Sequence, residues 1–249
     1  MIPMLRALIV AINFVVATFV FGSIVLISAL LRVKDRPGSP YDWCPRWWGK
    51  THLFLGGARV VEHDVERKRG AQHIFVANHL SNFDVFALAD SLPWMKFVAK
   101  AELFKVPILG PAMLRAGMIP IERANRKTAF KSYSDATERI QRGASVAVYP
   151  EGTRGHEYAL RPFKKGPFVL AIQAQAPIVP VLVYGALDRQ RKGEFKVYPG
   201  EIHMHYLPAI ETKGLTYDDR DQLARQAYES MAACLLTHYN IPSPAFKGA

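Results

Sequence analysis

Two short stretches hold residue types able to do chemistry. In Asn78-His79-Leu80-Ser81-Asn82-Phe83-Asp84, an imidazole and a carboxylate stand five positions apart. In Tyr149-Pro150-Glu151-Gly152-Thr153-Arg154, an acid, a hydroxyl and a guanidinium share a glycine turn. A His beside a carboxylate can take a proton from a hydroxyl group. A Thr-Arg turn offers donors to phosphate oxygens, the Arg in bidentate fashion. Together they point to chemistry on a phosphorylated alcohol.

Each stretch also has a plainer reading. Ser81-Asn82-Phe83-Asp84 fits a helix capping box, with Ser81 as N-cap and Asp84 at the third helical position. His79 would then be a loop histidine. Glu151 and Arg154 would form a solvated pair on a surface turn. On a continuous helix a five-residue separation puts two side chains on different faces. His79 and Asp84 can therefore meet only if the chain passes from strand through loop into helix between them.

The surrounding pattern provides such transitions. Strands are expected at Ala58–Glu62, His73–Ala77, Lys96–Ala99, Met118–Glu122, Ser145–Tyr149, Ile178–Tyr184, Phe195–Tyr198 and Ile202–Leu207. Several are unbroken Val/Ile/Phe runs, as in strands buried on both faces. Helices are expected at Asn82–Ser91, Ile108–Arg115, Arg126–Arg142, Gly166–Ala174 and Tyr217–His238. In Arg126–Arg142, residues Ala129, Tyr133, Ala136 and Ile140 share one face. Strands alternating with helices predict an α/β domain with a largely parallel, helix-covered sheet. Ligands collect beyond the carboxyl ends of strands in such sheets, and both stretches follow directly on predicted strands.

Residues Ala7 to Leu31, 25 in all, carry no charge. As a helix they would extend about 37 Å, enough to cross a hydrocarbon layer of about 30 Å with tilt. A cleavable signal has a shorter apolar region. Asn13 and Gly22-Ser23 leave room for a kink or a re-entrant hairpin. Basic residues are sparse before the segment (Arg6) and frequent after it (Arg32, Lys34, Arg36, Arg46, Lys50), which predicts that the rest of the chain lies in the cytoplasm. Trp43, Trp47 and Trp48 fit a headgroup layer, or else an ordinary core. The expected division is an anchor with an interfacial aromatic segment over residues 1–57 and a catalytic domain over 58–249.

The net charge of +11 suits anionic lipid, anionic metabolites or nucleic acid. No zinc-finger spacing or basic helix favours nucleic acid. Cys44 and Cys234, the only cysteines, belong to no motif and suggest neither a disulfide framework nor a metal site. His52, His63, His73, His203 and His205 show no paired ligand partners, so no metal is expected.

In order along the chain, these residues resemble the four blocks that mark the glycerolipid acyltransferase family, best known for the 1-acylglycerol-3-phosphate (lysophosphatidic acid) acyltransferases. His79 and Asp84 match His-x4-Asp. Gly117-Met118-Ile119-Pro120-Ile121-Glu122-Arg123 matches an apolar strand ending in an acid–Arg pair. Pro150 to Arg154 matches Pro-Glu-Gly-Thr-Arg, and Ile178-Val179-Pro180-Val181 matches an apolar strand with a central Pro. Glu122 stands where the family often has Asp, and Gly155-His156 where Ser is frequent.

The resemblance implies acyl transfer from a thioester, acyl-CoA or acyl-carrier protein, to the free hydroxyl of a lysolipid, foremost lysophosphatidate, forming phosphatidate. It implies His79 as general base and Asp84 as the group that orients it. Arg123, Glu151, Gly152, Thr153 and Arg154 would bind the substrate phosphate. Lys164 and Lys165 could touch headgroup or donor phosphates, or be plain surface lysines. No bound cofactor or metal is implied. Other readings are the same reaction on a lyso-ornithine lipid or a lysophospholipid, a lipid esterase using Ser81, and a non-catalytic membrane-binding protein. The donor, the chain length and the oligomeric state stay open.

Overall fold

The computed structural model of the chain describes residues 2–70, 72–122 and 136–247. The first helix, α1 (Pro3–Leu30), is unbroken and starts on a proline at its first turn, where the missing N–H costs nothing. It is long and apolar enough to cross a membrane. A turn leads into α2 (Pro40–Gly56), a helix containing Pro45 where sequence suggested only an aromatic interfacial segment. The two helices pair. Asn13 donates to the Thr51 hydroxyl at 3.2 Å and Trp48 Nε1 to the Thr18 hydroxyl at 3.1 Å.

Of the residues expected to leave room for a kink, Asn13 therefore faces α2 instead. Gly22 lets α1 approach the next layer, since a Cβ there would stand 2.9 Å from the Ile108 side chain. Both ends of α1 touch the rest of the chain: the Pro3 carbonyl accepts from Val197 N at 3.1 Å, and beyond the other end Asp35 pairs with buried Lys96 at 2.8 Å. The helix thus lies along the α/β body. Its other face, with Leu5, Leu8, Ile12, Val16 and Phe19, is exposed.

Among the described residues, seven strands form one sheet in the order β1-β7-β6-β2-β5-β3-β4. They are β1 (Ala58–His63), β2 (Ile74–Ala77), β3 (Met95–Lys100), β4 (Ile119–Ile121), β5 (Ser145–Val148), β6 (Ile178–Tyr184) and β7 (Gly200–Tyr206). β6, β2, β5, β3 and β4 run parallel; β7 is antiparallel to β6 and carries β1 parallel beside it. The sheet is therefore mixed at one edge. The expected strand at Phe195–Tyr198 does not form. Its backbone groups are engaged elsewhere: Val197 N on Pro3, the Val197 carbonyl on Arg6, and Tyr198 N on Arg189.

Alternation along the strands builds two cores. Phe75, Ala77, Ala147, Val179 and Val181 face one way, toward α1, α2, α3 (Asn82–Ser91) and α4 (Leu109–Arg115). Ile74, Val76, Val146, Val148 and Ile178 face the other way. There they meet α5 (136–141), α6 (Gly166–Ala174) and α8 (Arg220–Tyr239). A single turn, α7 (Ala186–Arg189), precedes β7. Most of the predicted helix Arg126–Arg142, with Ala129 and Tyr133, lies outside the described residues. Strands β2 and β5 are neighbours whose following helices, α3 and α6, cover opposite faces. Their outgoing loops diverge there and open a crevice at the carboxyl end of the sheet.

Candidate active site

The site grows from the end of β2. Beyond Ala77 the ladder is continued by a side chain: Asn78 Nδ2 donates to the Val183 carbonyl at 2.9 Å, and Val183 N donates to Asn78 Oδ1 at 2.7 Å. This buried clamp fixes where the next residue, His79, leaves the sheet. The chain then enters α3 through a capping box, with Ser81 as N-cap and Asp84 reaching back. Asp84 Oδ2 accepts from Leu80 N at 2.7 Å and Ser81 N at 2.8 Å, while His79 Nδ1 lies 3.0 Å from Oδ1. The cap and the ring contact are made by one carboxylate, 1% exposed. With Nδ1–H donated to Asp84, the lone pair of the ring resides on Nε2.

The loop after β5 holds His79 from the other side. His79 N donates to Glu151 Oε1 at 3.2 Å, and Gly155 N donates to the His79 carbonyl at 2.8 Å. Both backbone polar groups of His79 are thus taken by that loop. At Gly155, the position that departs from the family pattern, the contact is made by the backbone amide. The Tyr149 ring stacks on the imidazole at 4.1 Å and 18°. Its hydroxyl is buried beside the Asp84 carboxylate; burial first, and then that carboxylate, raise it well above the usual phenol range.

Glu151 is 4% exposed, and its Oε2 has no partner. Burial pushes its carboxyl up to about 8, against the pull of the His79 amide and Arg161. It sits under the His79 loop as an acceptor for that amide. Gly152 makes the turn at φ +74°, and a Cβ there would meet Lys164 Cε at 2.9 Å. Thr153 and Arg154 reach the rim of a cavity that His79 also lines. Arg154 is aimed by Asn82, whose Oδ1 accepts from Nη1 at 3.0 Å.

The remaining predicted residues fall elsewhere. Arg123 lies outside the described residues. Lys164 is exposed over the Gly152 turn, and Lys165 pairs with Asp221 at 3.0 Å, tying α6 to α8. Ser81 is fully buried and donates to the Gln190 carbonyl at 2.7 Å, so its hydroxyl is not presented as a nucleophile. Among the described residues, one set of three metal-ligand types comes together, His205, Cys234 and His238, and none of them lines this cavity.

The cavity measures about 550 Å³ and is largely apolar. Phe14 and Phe21 of α1, Trp48 of α2, Phe86 of α3, Phe97 of β3 and Ala112 of α4 contribute to its wall. The tryptophans therefore divide. Trp48 is packed against Phe14 and Phe86, while Trp47 is half-exposed with Lys50 above its ring at 4.9 Å. Asn82 and Tyr149 carry no site role in the sequence reading, although Asn82 lies inside the His79–Asp84 block and Tyr149 directly precedes Pro150. No local pattern signalled that α1 and α2 would wall the cavity. Chemically, the arrangement offers a base at the mouth of an apolar chamber, with a hydroxyl and a guanidinium beside it.

Residues 59–184 match the Acyltransferase family. The chain is 36% identical over 187 residues to 1-acyl-sn-glycerol-3-phosphate acyltransferase alpha of Homo sapiens, covering 72% of this chain and 64% of that protein. It is 36% identical to 1-acyl-sn-glycerol-3-phosphate acyltransferase of Limnanthes douglasii, over 71% of this chain and 66% of the relative. The chain thus spans just under two thirds of the length of these two relatives. In three dimensions it resembles the crystal structure of the 1-acyl-sn-glycerophosphate (LPA) acyltransferase PlsC from Thermotoga maritima. The TM-score is 0.77 at 22% identity, over 96% of this chain and 99% of the other, a likeness of fold.

Proposed function

This chain belongs to the acyltransferase family, and from that premise we propose that it transfers an acyl group from a thioester to the free hydroxyl of 1-acylglycerol 3-phosphate, forming phosphatidate. The observation that carries the reading is the His79–Asp84 pair, 3.0 Å apart at the mouth of the apolar cavity, with Thr153 and Arg154 on the same rim. Nε2 of His79 takes the proton of the acceptor hydroxyl as its oxygen attacks the thioester carbonyl. Asp84 holds the ring in the required tautomer and stabilises the imidazolium. Collapse of the tetrahedral intermediate breaks the C–S bond, and the departing thiolate takes the proton back from Nε2. No acyl-enzyme is needed, in keeping with the buried Ser81 hydroxyl.

Arg154 and Thr153 supply donors for the phosphate, with Arg123 as a further cation from the family motif. Holding the phosphate sets the neighbouring hydroxyl against His79, and such positioning is worth up to about 7–11 kcal/mol. The apolar chamber suits an acyl chain. The exposed apolar face of α1 supports attachment to a membrane, and Arg32, Lys34 and Arg36 just beyond it support a cytoplasmic catalytic face. The net charge of +11 suits either polyanionic donor, acyl-CoA or acyl-carrier protein.

The test is purified protein offered a panel of lysolipids with each donor, products read by mass spectrometry, beside His79→Ala. Phosphatidate from lysophosphatidate is expected with the native chain, and a drop of at least ~100-fold in kcat with the folded variant. Turnover of a different lysolipid alone, or a variant as active as the native chain, would overturn the reading.

A further inference from the structure

We propose that His205, Cys234 and His238 form a zinc-binding site that fastens the C-terminal helix α8 to β7, the second strand of the sheet, apart from the acyl-transfer centre. One ligand atom from each of the three lies within 4.8 Å of the others. The set is assembled by two periodicities. Cys234 and His238 are four apart on α8 and so share a helix face. His205 lies on β7 in register with His63 on β1, and both rings stand on the same face of the sheet, stacked at 4.1 Å and 6°. The His238 ring closes over His205 at 4.8 Å.

The donor set suits zinc. Thiolate and imidazole are both ligand types that zinc accepts, and a soft thiolate disfavours magnesium or calcium. Tetrahedral zinc, with bonds of about 2.0–2.3 Å, places its ligand atoms roughly 3.3–3.6 Å apart. The ligand atoms, within 4.8 Å of one another, must therefore draw together by up to about 1.5 Å; His205 and Cys234 are buried, whereas His238 is exposed and gives an entry path. Further groups support the ligands. Tyr239 Oη lies 2.7 Å from His205 Nε2 and orients that ring, the outer contact that ligating histidines usually have. His63 is itself bonded to His203 at 3.1 Å, and so stands as a packing partner of His205. None of the three residues lines the cavity at His79, so the ion is a structural tie and not part of acyl transfer.

The experiment uses the full chain, free of any polyhistidine tag, purified in detergent and stripped with a chelator. Zn2+ is titrated against a chromophoric competitor, and Co2+ is added separately as a spectroscopic probe. The expected result is one tight equivalent of Zn2+, a tetrahedral Co2+ spectrum with a thiolate charge-transfer band, and a rise in the thermal midpoint on adding Zn2+. All three should vanish in His238→Ala, which removes an exposed ring, and the thiolate band should vanish in Cys234→Ser. Uptake by the native chain no greater than by His238→Ala, or Co2+ bound without the thiolate band, would overturn the proposal.

Discussion

Asp84 joins two tasks in one carboxylate. Its Oδ2 caps α3 through two backbone amides, and its Oδ1 holds the His79 ring. The helix start and the imidazole are thereby fixed to one another, and any movement of the cap moves the ring. Glu151 makes a different contribution, through the amide of His79 and with a carboxyl pushed up to about 8 by burial. Between its ordinary value of 4.5 and about 8, the folded chain keeps that proton while the unfolded chain has lost it. Stability therefore falls as pH rises through this window, and the loss is complete above about 8, on the order of a few kcal/mol. Glu151→Gln keeps the acceptor for His79 N–H and removes the titration. Urea midpoints measured from pH 5 to 9 should decline for the native chain and decline less for the variant; parallel curves would remove Glu151 as their cause.

At the scale of elements, two loops clamp one another. The β2–α3 loop carries His79, and the loop after β5 takes both of its backbone groups and supplies the rim. Asn78 binds the first loop to β6, and Ser81 ties the start of α3 to the segment after α7. Ser81→Ala removes a cap and a buried hydrogen bond, a loss of about 1–2 kcal/mol. A lower thermal midpoint with kcat within a few-fold of native is expected. A folded Ser81→Ala protein with no activity would instead point to a hydroxyl nucleophile.

At the scale of the whole molecule, the N-terminal helix pair and the α/β body are not separate units. The boundary expected between residues 57 and 58 is crossed by packing on both sides: α1 and α2 wall the cavity whose mouth carries His79, and the ends of α1 are tied to Val197 and, through Asp35, to Lys96. The apolar helix thus has two faces, one lining the chamber and one exposed. Filling the chamber tests what it holds. Ala112 is a small buried residue on its wall, and Ala112→Phe shortens the space for a chain. Each methylene that no longer fits is worth about 1–3 kcal/mol of discrimination. Competition among donors of graded length, and separately among acceptors, should shift toward shorter chains in one series, identifying which chain the chamber takes. Unchanged profiles in both series would separate the chamber from acyl selection.

What the sequence determined by itself was local or periodic. Unbroken apolar strands, alternating helices, the capping signal at Ser81 and the order of four motif blocks indicated an α/β body and its candidate site residues, because each is written in neighbouring residues or in a repeat of two or four. Tertiary structure decided what depends on distant segments meeting. The reversal of β7 and β1, the use of Phe195–Tyr198 to receive α1, the burial of Glu151, the stacking of Tyr149 and the gathering of His205 with Cys234 and His238 all join residues far apart in the chain. Their positions follow from how whole layers pack, and no short window of sequence records that packing.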